Sequence, residues 1–547
     1  MVRRVAVAIA LVSIRCGGER GAAATASSSS GVDASTTGSE GTGTTTTSSS
    51  SATASSNGTS TGMPPLFDLG RPDLDPVDTV GPPTCEVGDD ADAIGNCRHQ
   101  APAGAFEPEL QWSWDGANGD VLAIATPLVA NLTDDDGNGS IDLCDVPDVL
   151  VIACNNLSLG MGHLYVLDGA TGSEHFHIDT PLECTLTPAL GDIDGDGLPE
   201  IVAGQMNGHL VAFDHDGTML WQSPQTWPDW YFAALALADL DADGDVEILA
   251  GGHVFGADGM LQVTTTQAPQ YSATTAADLD DDGELEIVLG HAAYHHDGSE
   301  AWTTALSPGF PQVANLDDDP EPEVLLTNPQ GLSLIDHDGN VRYQELRPTG
   351  NANGFLTWLR PATVHDFDGD GVAEFAMSSQ NDYTLYEADA TIVWSSYVSD
   401  ESGVAAGTAF DFLGDGLAEA MYADESSLYV FDELGAKRFE TPRTSVTGTE
   451  YPVVADVDND GAAEIVVVSN QSPYGPRTSP TVQVVRDVDE RWVGARRIWN
   501  QHTYHVTNVR EDGTIPQVEP KSWQQLNTFR TNAQLEAGSV CQPLPRG

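Results

Sequence analysis

Lysine is almost missing from this chain of 547 residues: Lys437 and Lys521 are the only two, and no Lys or Arg lies between His99 and Val341. Lys and Arg together number 21 against 83 Asp and Glu, a formal net charge of −62. That shortage excludes nucleic-acid binding through phosphate neutralisation, since no basic stripe exists to displace counterions. A polybasic membrane-surface role fails for the same reason. Long apolar runs are also lacking. The run Val5–Ile14, behind Arg3 and Arg4, is too short to span a bilayer and reads as a secretory signal. No Cys-x-x-Cys pair supports zinc. No Walker loop, nucleophile elbow or zinc-protease histidine pattern points to an enzyme. Helical periodicity is absent from the repeating part of the chain. So many carboxylates with so few partners must be solvated or neutralised by metal cations.

What is present divides the chain. Residues 1–16 form the expected signal, ending at Cys16. Residues 17–65 are a Ser/Thr/Gly-rich stalk that cannot bury enough apolar surface to order itself. Residues 66–104 are an acidic, Pro-rich lead-in, 105–490 the repeating body, and 491–547 an Arg- and Trp-rich segment. Cys16 resembles the lipid-modified cysteine of bacterial lipoproteins, although Arg15 stands where a small residue is usual. The resemblance implies export to the cell surface or outer membrane with membrane contact through the lipid only; without it, a secreted or periplasmic protein. Six cysteines remain, an even number suited to an oxidising compartment. Sequence allows 15 connectivities; the local pairs Cys85–Cys97 and Cys144–Cys154 are the expected ones.

One pattern recurs eight times, clearest as Asp192-Ile-Asp194-Gly-Asp196-Gly197-Leu-Pro-Glu200 followed by Ile201-Val-Ala-Gly204. The other copies begin at Asp134, Asp239, Asp278, Asn315, Asp366, Asp411 and Asp456, about 46 residues apart on average. Each unit has room for four short strands, with Asp/Gly turns such as Asp214-His-Asp-Gly217 and Asp336-His-Asp-Gly339 marking a hairpin. An all-β propeller of four-stranded blades follows, eight blades favoured over seven. Ala130, Ala238, Ala277, Ala314 and Ala455 precede their loops, where small residues suit innermost strands crowding a central channel.

Carboxylates at positions 1, 3, 5 and 9, with Gly at 6, aim hard oxygens at one point, a donor set that suits Ca²⁺ better than Mg²⁺. Two carboxylates about 4 Å apart repel by roughly 4 kcal/mol at an effective dielectric near 20, so four should not converge without a cation. The candidate ligands of complete loops are Asp192, Asp194, Asp196 and Glu200; Asp239, Asp241, Asp243 and Glu247; Asp278, Asp280, Asp282 and Glu286; Asp366, Asp368, Asp370 and Glu374; and Asp456, Asp458, Asp460 and Glu464. Three copies depart. The first offers Asp134, Asp136, Asn138 and Asp142, with extra residues before its strand. The fifth offers Asn315, Asp317, Asp319 and Glu323, but Pro320 replaces the Gly. The seventh offers Asp411, Asp415 and Glu419, with Leu413 at position 3, and is expected to be weak or empty. A helix-loop-helix calcium site needs a bidentate Glu at position 12, where this chain has Ala203 or Ala250, and flanking helices.

The repeats resemble the FG-GAP or VCBS family, found in the integrin α-subunit propeller and in many exported bacterial proteins. The resemblance spans roughly residues 122–490 and implies a propeller, calcium in the loops, and adhesion or ligand binding; the expected partner is an extracellular protein or glycan, and the expected state a monomer. The expected activity is therefore non-enzymatic. The alternative is a polysaccharide lyase, since a rhamnogalacturonan lyase family also uses a calcium-bearing propeller. His175-x-His177 and His295-His296 read as surface histidines. In the last segment, Arg496, Arg497, Trp499 and Tyr504 are expected to pack the chain's end against the acidic body and close the ring. Trp499 and Tyr504 should be buried, with Arg496 or Arg497 facing propeller carboxylates.

Overall fold

The computed structural model describes residues 85–87, 94–102, 104–157, 160–228, 231–267, 271, 273–317, 319–473 and 475–543. The signal, Cys16 and the stalk lie outside the described residues. The chain is all-β: the described helices are two single turns, Phe355–Trp358 and Ser522–Gln525, and a 3₁₀ turn at Val506–Asn508.

Strands follow one another as antiparallel neighbours in chain order. The second sheet shows the plan: Ala189–Gly191, Glu200–Gly204, His209–Phe213 and Met219–Thr226. Five further sheets repeat it, beginning at Leu235–Ala238, Thr275–Ala277, Phe310–Ala314, Thr363–His365 and Gly407–Phe410. The first sheet has a fifth short strand, Leu122–Ala123, beside Asp148–Cys154. In the eighth, Val453–Ala455, Glu464–Val468 and Val482–Asp487 are completed by Pro108–Trp114 from the start of the chain. That pairing of early and late strands, rather than the final segment, supplies the last sheet's outer edge.

Residue choice explains the layering. Middle strands such as Glu464–Val468 are β-branched and buried on both faces, because a sheet lies against each side. Outer strands such as Val341–Leu346 face solvent and are polar. First strands of successive sheets touch one another, with parallel bridges running from Thr187 to Ala234 to Ala273. Sheet eight meets sheet one where the Ala123 amide donates to the Ser469 carbonyl at 3.0 Å. The five alanines named above end their first strands fully buried, as this propeller-like crowding requires. At the outer rim, the hairpin glycines Gly172, Gly259, Gly339 and Gly435 each pack on a tryptophan of the sheet before. A Cβ on Gly339, at φ 87°, would lie 2.8 Å from Trp302, whose indole N–H donates to the His337 carbonyl at 2.8 Å.

The final segment bonds in turn at or beside the first strand of each sheet. Trp499 exchanges backbone hydrogen bonds with Val129 of sheet one, and the Leu190 amide of sheet two donates to the Asn500 carbonyl. The Leu237 amide of sheet three donates to the Gln501 side chain, and the Thr503 hydroxyl to the Thr274 carbonyl beside sheet four. Asn527, Phe529, Arg530 and Asn532 then reach sheets five to eight through Asn315, Val364, Thr408 and Val454. Trp499 and Tyr504 are buried and stacked, ring centroids 4.5 Å apart. Arg496 donates to Tyr504 and to the Val506 and Val509 carbonyls, while Arg497 pairs with Glu511 of its own segment at 2.8 Å. Asp456 feels the Arg497 charge through space.

The disulfides are Cys85–Cys144, Cys97–Cys541 and Cys154–Cys184, which corrects both expected local pairs. Cys154 ends strand Asp148–Cys154 and Cys144 precedes its start, so a strand length of roughly 20 Å separates them. Cys154 instead meets Cys184, just past the far end of the hairpin's last strand. Cys97 and Cys541 join two chain ends that share a small sheet, Gly95–Asn96 beside Ser539–Gln542.

Candidate metal loops

Each acidic loop connects a first strand to a second, so all of them emerge on one side of the ring, beside the hairpins joining third and fourth strands. Two left-handed residues shape the loop. Position 6 is the expected glycine, Gly197, Gly244, Gly283, Gly371, Gly416 or Gly461. Position 4 is left-handed too, even where it is Ala242, Asp281 or Asn459, which the sequence reading did not register. This turn points amides at the position 1 carboxylate. Asp366 accepts the Gly369 and Gly371 amides at 2.8 and 2.9 Å, and Asp239 the Asp243 and Gly244 amides at 3.2 and 2.8 Å.

The closing glutamate begins the buried second strand. One of its oxygens always accepts the position 2 amide: Ile193 to Glu200 at 2.8 Å, Leu240 to Glu247 at 2.9 Å, Phe367 to Glu374 at 2.8 Å and Val457 to Glu464 at 2.9 Å. The second oxygen faces the aspartates. In Glu200 and Glu464 this Oε1 is buried without a hydrogen-bond donor. Asp366, Asp368, Asp370 and Glu374 bring one oxygen each within 4.8 Å of the others. Burial, reinforced by the neighbouring aspartates, pushes Glu200 and Glu374 up to about 8 and Glu247 and Glu286 to about 7. Asp456 and Glu464 are raised well above the usual carboxylate range, by complete burial first and then by neighbouring carboxylates, Asp460 beside Asp456 and Asp456 beside Glu464. An orphaned buried carboxylate oxygen facing further carboxylates is what a hard cation relieves, and the all-oxygen donor set fits calcium.

The fourth loop adds neighbours: His295 lies 2.9 Å from Glu286, and Lys521 reaches Asp278 and Asp281 at 3.2 and 2.5 Å. His296 pairs with Glu284 and His177 with Glu174, both at 2.7 Å.

The departing loops differ in kind. In the first, the residue that follows the first strand is Asn131, and Asp148 takes the closing place, accepting the Leu132 amide at 3.0 Å. The stretch from Asp134 is an inserted loop with its own closure. Asp134 accepts the Asn138 and Gly139 amides at 3.0 and 2.9 Å, and Asn138 turns its side chain to Asp136. Its closing carboxylate is Asp145, not Asp142: Asp145 accepts the Asp135 amide at 2.9 Å and gathers with Asp134 and Asp136. Asp142 instead accepts the Cys144 amide at 2.8 Å, near the Cys85–Cys144 bridge. The Leu143–Cys144 insertion had shifted the closing acid by three positions.

In the fifth loop Pro320 offers no amide, and Asn315 replaces the aspartate that would accept it, its own NH₂ donating to the Asp319 carbonyl at 2.5 Å. Arg342 enters among the carboxylates. It pairs with Asp317 and Asp336, and its Nη2 lies 3.4 Å from both Asp319 and Glu323. In the seventh loop Asp411 keeps its amides from Asp415 and Gly416, at 3.1 and 2.7 Å, and Arg438 pairs with Glu419. Burial raises Asp411 to about 6 and Glu419 to about 8.

A family model described as "FG-GAP-like repeat" matches residues 192–250 and 411–467, so the chain carries FG-GAP-like repeats. Among solved structures it is similar to the V. cholerae biofilm matrix protein Bap1, at 21% identity and a TM-score of 0.69, covering 80% of this chain and 100% of that one. Weaker similarity extends to the Bacillus licheniformis rhamnogalacturonan lyase PL11, at 17% identity and a TM-score of 0.44 over 80% and 83% of the two chains. Rhamnogalacturonan lyase YesW stands alike, at 16% and 0.45 over the same shares. No curated protein matches the chain.

Proposed function

We propose that this chain is an exported, calcium-stabilised, eight-bladed β-propeller acting as a monomeric adhesion or ligand-binding module, tethered to the cell surface through Cys16 and the stalk. The observation that carries the calcium reading is the buried closing glutamate. Four glutamates of complete loops, Glu200, Glu247, Glu286 and Glu374, are pushed up to about 7 or 8 beside aspartates of the same loop, an arrangement that a divalent cation stabilises. An extracellular setting agrees with three disulfides, and no described helix is long and apolar enough to cross a membrane.

Adhesion is supported by the fold, shared with a protein named for the biofilm matrix, and by the surface away from the loops. There the connections into sheets three, four and six carry Tyr231, Tyr271 and Phe355. Their rings form an edge-to-face chain, 6.4 and 4.8 Å between centroids, with Tyr231, Phe355 and Leu356 exposed. Exposed aromatics gathered on one patch are the usual anchors of a protein or glycan contact. A glycan and protein array with calcium present tests the reading. A partner whose binding falls with Tyr231→Ala or Phe355→Ala, at unchanged melting temperature, supports it. Unsaturated product absorbance on pectic substrates would assign a lyase instead.

A further inference from the structure

Register across the sheets links the defects in two loops to two arginines. Arg342 and Arg438 occupy the same place in their sheets: the outer strand, three residues past the hairpin glycines Gly339 and Gly435. The equivalent residue is Leu220 after Gly217, Gln262 after Gly259, Ala301 after Gly298 and Val393 after Ala390. All four are uncharged, and all four belong to sheets whose loop has carboxylates at positions 1, 3, 5 and 9. In the first sheet the place holds His175, 3.6 Å from each of Asp135, Asp148 and Asp168. A cation-capable side chain thus stands at this position in the sheets with departing loops and in none of those four.

The loop changes go together with the arginines. In the fifth loop Asn315 and Pro320 remove a carboxylate and an inward amide, and the Arg342 guanidinium meets Asp317, Asp319, Glu323 and Asp336. In the seventh, Leu413 removes the position 3 carboxylate, and Arg438 takes the Glu419 oxygen that in Glu200 and Glu464 has no donor. Arginine suits the task because its charge is permanent and its fork can meet several carboxylates at once.

We propose that Arg342 and Arg438 stand in for the metal in the fifth and seventh loops, so that metal uptake is confined to the other loops and these two stay closed in chelator. The proposal rests on the calcium reading above and sharpens it. The test is an anomalous difference map from crystals of the whole chain grown in manganese, with bound calcium counted by equilibrium dialysis. Peaks are expected in the complete loops that begin at Asp192, Asp239, Asp278, Asp366 and Asp456, and none between Asp317 and Glu323 or between Asp411 and Glu419. A peak in either of those two overturns the proposal and leaves the calcium reading intact; peaks in no loop overturn both. Leu413→Asp combined with Arg438→Gln restores the carboxylate and removes the guanidinium. It should bind one more calcium per chain than wild type, and an unchanged count in the folded variant counts against the proposal.

Discussion

The loop that begins at Asp366 and the loop that begins at Asn315 leave equivalent first strands and return through equivalent buried glutamates. Glu374 accepts the Phe367 amide at 2.8 Å, and Glu323 accepts the Leu316 amide at 2.7 Å. Beyond that shared closure they part. The first gathers four carboxylates with Val393 at the facing strand position; the second gathers three, and Arg342 faces them. The closing glutamate is the constant, because its amide contact turns the chain from loop into buried strand. What varies is whether a positive side chain faces it. On the proposed reading, one backbone serves every sheet while some loops depend on dissolved metal and others do not.

The largest effect should come from removing what both kinds of loop lean on. Deleting residues 491–547 takes away the segment that bonds at or beside every first strand, and the truncated chain should misfold rather than melt as a stable domain. A normal melt would show that the segment only decorates the ring. Next, Arg342→Ala leaves Asp317, Asp319, Glu323 and Asp336 facing one another. The arginine is one-third exposed, so after solvent screening the loss is about 2 kcal/mol. It should be equal in calcium and in chelator by denaturant unfolding, and a loss seen only in calcium breaks the comparison. Asp194→Ala should behave oppositely, costing about 1.4 kcal/mol at calcium tenfold above its dissociation constant and little in chelator.

The pH response separates the two states further. Glu200 and Glu374 titrate at about 8 when buried without metal, above the ordinary carboxylate range. A raised carboxyl pKa means that the folded state holds the proton more tightly. Its stabilising contribution is full below the unfolded pKa and is lost as pH rises toward 8. Chelated protein should therefore melt higher at pH 5.5 than at pH 8. Calcium-loaded protein should not show this fall, because bound metal replaces the proton. The smallest effect is at the rim, where Gly339→Ala strains a left-handed turn against Trp302, costing about 1 kcal/mol in both states.

The repeat was legible in sequence because the loop is local: its aspartates, its glycine and its returning strand lie within about a dozen residues. Period and strand content then dictated sheets succeeding one another. What stayed hidden was much of what depends on contacts beyond the loop's own dozen residues. Asp145 and Asp148 replace the closing acid only because an insertion folds back, and Arg342 acts on a loop some twenty residues earlier through the hairpin between them. A closer look at register could have found it, since Arg342 is the first cation after Arg98 and follows its turn glycine as Arg438 does. The disulfides and the pairing of Pro108–Trp114 with Val482–Asp487 join residues that only ring closure makes neighbours.

The account stands on a cation at the complete loops, and calorimetric melting of the full chain with millimolar calcium and then with excess chelator tests it most directly. At about 1.4 kcal/mol per site, the five complete loops together supply about 7 kcal/mol, comparable with a whole domain's margin. Chelation should lower the melting temperature by many degrees and returned calcium should restore it. A melt that is the same in calcium and in chelator would contradict the account.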